Sequence, residues 1–288
     1  MANTLHPLVY RFFISTIGLS VVFIALYFSQ NPLTAPILAS FTTAVIVTAL
    51  LEFYTIAKNK GYEPQLNIGI TSTILYILTM FLIAFYPQAQ YLPTTVFVLA
   101  LFTLFSFYIF WGSNPLANVS ITTFGIVYLT LPLTSLVSIN YFFPVGGAQD
   151  GRWWIVYLLA MTFMTNTSAY FFGKTLGKNK LAPYISPKKT WEGAIGGFCI
   201  ALIASMGFHV LSTLSVNPLP ISLSFWESIW LGGILSFLAQ LGDLAESLLK
   251  RDVGVKDSSR IPGVGGILDI VDSLVFTSPA LYLFLKMS

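Results

Sequence analysis

WESIWLGGILSFLAQLGDLAESLLKR, residues 226–251, decides the fold. The run 226–249 is long enough to cross about 30 Å of hydrocarbon at about 1.5 Å per helical residue. Its second half nevertheless carries Gln240, Asp243, Glu246, Ser247 and Lys250, each three or four residues from the next or next but one. On a helix this spacing gathers them on one face. Turned toward lipid, an ionisable group near the bilayer centre costs at least ~2.5 to 3.5 kcal/mol. The stripe must therefore face protein, water or an ion, and the expected fold is a bundle of membrane helices with a polar interior.

The rest of the chain agrees. Of its 288 residues 56% are hydrophobic and only 9% charged, with mean hydropathy +0.79, whereas soluble domains carry about 25% charge. Apolar runs predict an all-α polytopic membrane protein with about nine transmembrane helices. They fall near 11–29, 33–57, 66–86, 92–111, 119–139, 153–173, 192–214, 226–249 and 268–287. The runs are apolar all round, which excludes the alternating pattern of a β-barrel. Asn31-Pro32, Asn114-Pro115 and Asn217-Pro218 fall between runs, where the residue before proline is biased away from helix. No separate soluble domain is expected, and the first run, without a small-residue cleavage site, reads as a permanent helix.

Cytoplasmic loops retain Lys and Arg. With the N-terminus inside, twelve basic residues lie on the inner side and only Arg152 and Lys286 outside, which predicts an N-in, C-out chain. Loops 173–191 and 250–267 then both face the cytoplasm, and a polar cavity is expected near that side. The organisation divides at about residue 150. Residues 1–150 carry only Glu52, Glu63 and Asp150 as acids and read as scaffold; Glu52, near Lys58 and Lys60, reads as a solvated acid at headgroup level. Residues 151–288 read as the catalytic region. The lone Cys199 follows Gly196-Gly197 in an apolar run and is expected to pack; no intrachain disulfide is possible. His6 and His209 have no second His or Cys at ligand spacing, so a zinc site is not expected.

Residues 240–273 hold six of the eleven carboxylates, so this segment is the first candidate for chemistry. Asp269, Asp272 and Ser273 open the last span after a glycine turn, Pro262-Gly-Val-Gly-Gly266. Two carboxylates from different helices beside such a turn suit a hard cation bound to phosphate. Magnesium takes oxygen ligands, keeps waters and is usually held by one or two carboxylates plus substrate phosphates. Asp243 and Asp269 fit that role. Glycines such as Gly265 and Gly266 let backbone amides approach phosphate oxygens, and Lys250, Arg251 and Lys256 can neutralise developing charge. Helix-end salt bridges among these groups are the alternative. A second cluster runs from Asn166 to Gly193 and includes Ser186-Pro-Lys-Lys-Thr-Trp-Glu-Gly193, with Thr190 placed to cap the next helix and Glu192 near its positive end. Its lysines suit anionic headgroups or nucleotide phosphates; topological signal with attraction to the membrane surface is the alternative and does not exclude such binding.

These two blocks resemble the phosphatidate cytidylyltransferases, or CDP-diacylglycerol synthases. The resemblance rests on Gln240-Leu-Gly-Asp-Leu-Ala-Glu-Ser247, Leu249-Lys-Arg251, Gly254-Val-Lys-Asp-Ser258, Pro262-Gly263, Gly265-Gly-Ile-Leu-Asp269 and Asp272-Ser273. The other block is Ser168-Ala-Tyr170, Gly173, Gly177-Lys178, Leu181-Ala-Pro183 and Ser186 to Gly193. It covers about 166–275. It implies an integral membrane enzyme joining CTP to phosphatidic acid, with release of pyrophosphate and formation of CDP-diacylglycerol for phospholipid biosynthesis. It also implies magnesium, with a second cation left open, a homodimer among membrane lipids, and no nucleic-acid partner. By motif position, Asp243 and Asp269 are the metal carboxylates; Asp243, Asp269, Lys250, Arg251 and Lys256 are catalytic. Ser186, Lys188, Lys189, Thr190, Glu246, Asp257, Gly265, Gly266, Asp272 and Ser273 bind or support substrate. The absence of transit and retention signals points to a bacterial inner membrane, with the active site facing the cytoplasm.

The chain departs from the family pattern at Asn166, where Asp is usual, at Val264 in place of His, at Ile270 in place of Arg, and in a turn from Lys256 to Gly266 that is one residue short. Two other readings remain at this stage. A CTP-dependent polyprenol or phytol kinase has a similar carboxyl-terminal outline but lacks the Ser-Pro-Lys-Lys-Thr-Trp-Glu-Gly block. An ion-coupled transporter would use intramembrane acids beside broken helices, but no matched pair of interrupted helices is present. A CDP-alcohol phosphotransferase is disfavoured because its Asp-Gly to paired-Asp pattern is absent.

Overall fold

The computed structural model describes residues 20–31, 33–255, 258 and 266–288. The described residues are mostly helical: α1 (20–28), α2 (Ala35–Asn59), α3 (Leu66–Phe85), α4 (Leu92–Phe110), α5 (Pro115–Gly125), α6 (Leu131–Asn140), α7 (Gly151–Thr175), α8 (Trp191–Thr213), α9 (Phe225–Asp252) and α10 (Ile267–Met287). Among the described residues, eight helical segments are long and apolar enough to cross a membrane. Their bounds lie within a few residues of the last eight expected runs. Residues 11–19 of the first expected run lie outside the described residues; its described part holds α1. Large side chains such as Phe102, Ile109 and Phe110 are exposed, as suits a lipid-facing surface.

The described residues pack as two compact units. One runs to Ile126 and takes in Ser258 and the stretch 266–270; the other comprises 127–255 and 271–288. In the first unit, α2, α3, α4 and α5 pack on one another. Pro36, Pro93 and Pro115 stand in the opening turn of α2, α4 and α5, where a missing N–H costs nothing. Leu50 and Tyr54 are fully buried, and the Tyr54 hydroxyl donates to the Thr122 carbonyl at 2.8 Å. Asn118 accepts from Glu63 N at 2.8 Å and donates to Ser113 O at 2.9 Å, satisfying the loop between α2 and α3 and the turn before α5.

A π turn, Ile126–Thr130, joins α5 to α6. Pro132 has no N–H to give the Tyr128 carbonyl, so the regular ladder cannot run through this point. In the second unit α7, α8 and α9 pack mutually. Lipid supplies no hydrophobic drive between helices, so small residues and shared hydroxyls hold such contacts. Gly193 and Gly197 of α8 lie against Ala169 and Thr165 of α7. Tyr157 Oη meets Ser205 Oγ at 2.7 Å, Ser205 Oγ donates to Ser228 O at 2.6 Å, and Thr165 Oγ1 donates to Ser236 Oγ at 3.0 Å. Ser224 and Glu227 form a reciprocal cap that starts α9. Cys199 is exposed, contrary to the packing expected of it. It stands two residues, roughly 200° of helix, from the Gly197 contact and so lies on the far side.

Candidate active site

Between α7 and α8 the expected basic loop is a two-stranded antiparallel hairpin, β1 (Lys180–Ala182) and β2 (Ser186–Thr190), with Lys180 opposite Thr190 and Ala182 opposite Ser186. Thr190 is the N-cap of α8 and accepts from Gly193 N at 3.2 Å, the role its position predicted. Glu192 closes the base of the hairpin: it accepts from Lys178 N and Asn179 N at 3.1 Å and from Asn179 Nδ2 at 2.8 Å. Successive side chains of a strand point to opposite sides. Lys188 is exposed, whereas Lys189 reaches Asp243 Oδ1 at 2.9 Å. Ser186 is half-buried. That ion pair joins the two blocks that were separate in the sequence.

Asp243 sits on α9 one residue after Gly242, and at Gly242 the helix comes close against the Asp272-Ser273 backbone. A Cβ there would lie 2.6 Å from Asp272 O and 3.0 Å from Ser273 Cα. The close approach brings buried Asp272 into the electrostatic field of both Asp243 and Lys189. Asp272 also accepts from Ser273 N. Ser273 Oγ donates to Ala239 O at 3.0 Å and accepts from Asn166 Nδ2 at 3.0 Å. This gives the departure at Asn166 a physical reading: the hydroxyl's one proton is committed to Ala239, and an amide can donate to its lone pair where an ionised carboxylate cannot.

The rest of the stripe on α9 faces protein, as its charge required. Gln240 Nε2 donates to Ala194 O at 3.2 Å, Ser247 is buried, and Glu246 and Lys250 form a buried ion pair at 2.5 Å. The Arg251 fork donates through Nε to Ile185 O at 3.1 Å and through Nη1 to Val255 O at 2.9 Å. It thus ties the hairpin turn to the end of α9. Asp243, Asp272, Lys189, Lys250, Glu246 and Ser273 are brought together in this unit, with Lys188, Ser186, Thr190 and Arg251 on or against the hairpin beside it.

In the other unit, Asp269 Oδ2 accepts from Gly266 N at 2.7 Å and from Ser258 Oγ at 3.0 Å. Glu52, expected at headgroup level in water, is buried. Its Oε1 accepts from Ile267 N at 3.1 Å, and its Oε2 from Leu268 N at 2.8 Å and Ser258 Oγ at 3.0 Å. The reading as a solvated acid fails because Glu52 lies seven residues, roughly 10 Å of helix, inside the end of α2 at Asn59. That depth is the signal its neighbouring lysines obscured. Lys256, Asp257, Gly265 and the departure at Val264 lie outside the described residues. Ile270 is exposed.

Among the described residues no three His, Cys, Asp or Glu side chains converge as a protein-only metal cage. The donors suit a different kind of ion. Asp243 is one-third exposed, offers only hard oxygen and lies close to a second carboxylate, Asp272. Such a donor set fits magnesium, which retains water and shares ligands with substrate phosphates. Lys189 supplies a positive charge at the same carboxylate.

The chain is 34% identical over 174 residues to a phosphatidate cytidylyltransferase of Chlamydia trachomatis serovar D, covering 60% of this chain and 56% of that one. It is 31% identical over 290 residues to the Chlamydia pneumoniae protein of that name, covering 96% and 91%. To that of Staphylococcus aureus strain COL it is 42% identical over 153 residues, covering 53% and 56%. The chain thus spans a little over half the length of two of these relatives and nine-tenths of the third. The model of the cytidylyltransferase family matches from residue 9 to residue 288. A match of that extent takes in the helices before the two motif blocks as well as the blocks themselves, and the chain belongs to the cytidylyltransferase family.

Proposed function

We propose that this membrane protein transfers the cytidylyl group of CTP to phosphatidic acid, yielding CDP-diacylglycerol and pyrophosphate. The observation that carries this reading is the 2.9 Å pairing of Lys189 with Asp243, which joins a phosphate-type basic hairpin to an acidic membrane helix. In the step itself a phosphatidate phosphate oxygen bonds to the α-phosphorus of CTP, and the bond from that phosphorus to the bridging oxygen breaks, releasing pyrophosphate. Both reactants are anions, so the work is positioning and charge neutralisation rather than covalent catalysis. Phosphatidate brings its own nucleophile.

Asp243 and Asp269 are the proposed holders of magnesium, which when bound would neutralise and orient phosphate oxygens. Lys189 then turns from Asp243 toward the triphosphate. Lys188, Ser186 and Thr190 contact the nucleotide from the hairpin. Arg251 and Lys250, with Lys256 beyond the described residues, oppose the charge of the departing pyrophosphate. Asp257, Gly265 and Gly266 belong to the same phosphate-binding stretch. Glu246, Asp272 and Ser273 hold these groups in place through their buried bonds. A second cation and a homodimer complete the reading.

The imbalance of basic residues supports N-in, C-out topology with the hairpin on the cytoplasmic side, and the bacterial relatives support an inner-membrane location. The test is lipid-extractable label after incubation of the purified protein with phosphatidic acid, magnesium and cytidine-labelled CTP. Label that requires phosphatidate and disappears in Asp243→Asn supports the proposal. Phosphatidate-independent label, or none from folded protein, rejects it.

A further inference from the structure

We propose that Glu52, in the N-terminal helices, is a positioning residue that sets the first turn of α10 and through it Asp269. The inference rests on the role proposed above for Asp269. The first N–H groups of a helix have no partner within the helix and are normally met by a side chain at the N-cap. Here the N-cap position before Ile267 is Gly266, which has no side chain to offer. Two carboxylates share the task instead. Asp269, third residue of the helix, reaches back to Gly266 N at 2.7 Å. Glu52, more than two hundred residues earlier, takes the next two amides, Ile267 N at 3.1 Å and Leu268 N at 2.8 Å.

Ser258 links the two acids. Its Oγ lies 3.0 Å from Glu52 Oε2 and 3.0 Å from Asp269 Oδ2, and its N–H lies 3.3 Å from the same Asp269 oxygen. One hydroxyl has one proton, so it serves the two carboxylates by turns and couples their positions. The packing leaves no slack. A Cβ on Gly266 would overlap Ser258 Oγ and Glu52 Oε2, and that carboxylate is pinned by two backbone amides. Glycine at 266 is thus required by the approach of Glu52. Both oxygens of Glu52 are engaged, and it is 8% exposed, so its place is fixed by the helix it caps. The N-terminal helices then do more than scaffold: they supply the group that holds Asp269 in register with its own helix start.

The test uses full-length protein in detergent, wild type against Glu52→Gln and Glu52→Ala, with Glu63→Gln as a control carboxylate from the same half. Amide hydrogen exchange is followed in peptides covering 266–270 without metal. Manganese, which accepts the same oxygen donors as magnesium, is titrated in the presence of CTP and followed by electron paramagnetic resonance. Loss of a cap predicts exchange at Ile267 and Leu268 faster by roughly two- to thirty-fold in Glu52→Ala. A weakening of manganese affinity of about the same factor is expected. Glu52→Gln, which keeps one acceptor oxygen, should fall between, and Glu63→Gln should match wild type.

Where Glu52→Ala does not fold, Glu52→Gln decides by the same readouts. Unchanged exchange shows that Glu52 caps nothing. Faster exchange with unchanged manganese affinity shows a structural cap without a positioning role; either result overturns the inference. Wild-type protein that binds manganese yet makes no CDP-diacylglycerol sinks the transferase reading alone.

Discussion

Gly242→Ala offers a perturbation whose size can be worked from distances. The added methyl would stand 2.6 Å from Asp272 O and 3.0 Å from Ser273 Cα, both backbone atoms that cannot rotate away. Restoring an ordinary 3.4 Å contact requires α9 and the Asp272-Ser273 backbone to separate by 3.4 − 2.6, about 0.8 Å. Overpacking of this kind typically costs about 1–3 kcal/mol. The same displacement moves Asp243 away from Asp272, and a misplacement near 1 Å is of the order that costs about 100-fold in rate. Two comparisons isolate the cause. At Gly232 the obstruction is the Ser205 side chain at 2.6 Å, which can turn, and at Gly207 nothing lies within 4 Å. Gly207→Ala should therefore be neutral or stabilising by up to about 1 kcal/mol through helix propensity. Thermal unfolding in detergent and cytidylyl transfer, measured on all three variants, should rank them Gly207→Ala, Gly232→Ala, Gly242→Ala from mildest to most severe. Equal behaviour of Gly242→Ala and Gly207→Ala in both assays would refute the close approach.

The buried pair Glu246–Lys250 predicts strong coupling: Glu246→Gln or Lys250→Met alone should destabilise by about 3–5 kcal/mol, while the double change Glu246→Leu with Lys250→Met recovers much of the loss, read as unfolding midpoints. Thr190→Ala should cost about 1 kcal/mol of cap and raise KM for CTP by loosening the strand that carries Lys189, whereas Thr190→Ser should retain most of both, measured by unfolding and steady-state kinetics. Arg251→Lys keeps the charge but loses the fork that reaches Ile185 O and Val255 O together; faster proteolysis of the hairpin with a raised KM is the expected result, and unchanged proteolysis would remove the tether from the account.

Much of the architecture is legible because hydrocarbon thickness imposes length and composition at once. The run expected at 192–214 is the helix Trp191–Thr213, and that expected at 226–249 is contained in Phe225–Asp252. Thr190 as a cap was legible for a local reason, since the acceptor and the amide it serves are three residues apart. The hairpin was not. Lys180–Ala182 and Ser186–Thr190 lack alternating apolar residues, and the hairpin's base is closed by Glu192 from the following helix. The pairing of Lys189 with Asp243 and the capping by Glu52 were illegible in one sequence because their partners lie 54 and more than two hundred residues away. Glu52 also illustrates how a nearby pair of lysines can suggest solvent when depth along the helix says otherwise.

The most direct measurement follows two phosphates of CTP at once. CTP labelled at the α-phosphate and, separately, at the γ-phosphate is incubated with the protein, phosphatidic acid and magnesium, and the lipid and aqueous phases are counted. Cytidylyl transfer predicts α-label in the lipid and γ-label in free pyrophosphate, in equal amounts. Label from the γ-phosphate in the lipid, with CDP left in the water, would contradict it and identify a lipid kinase instead.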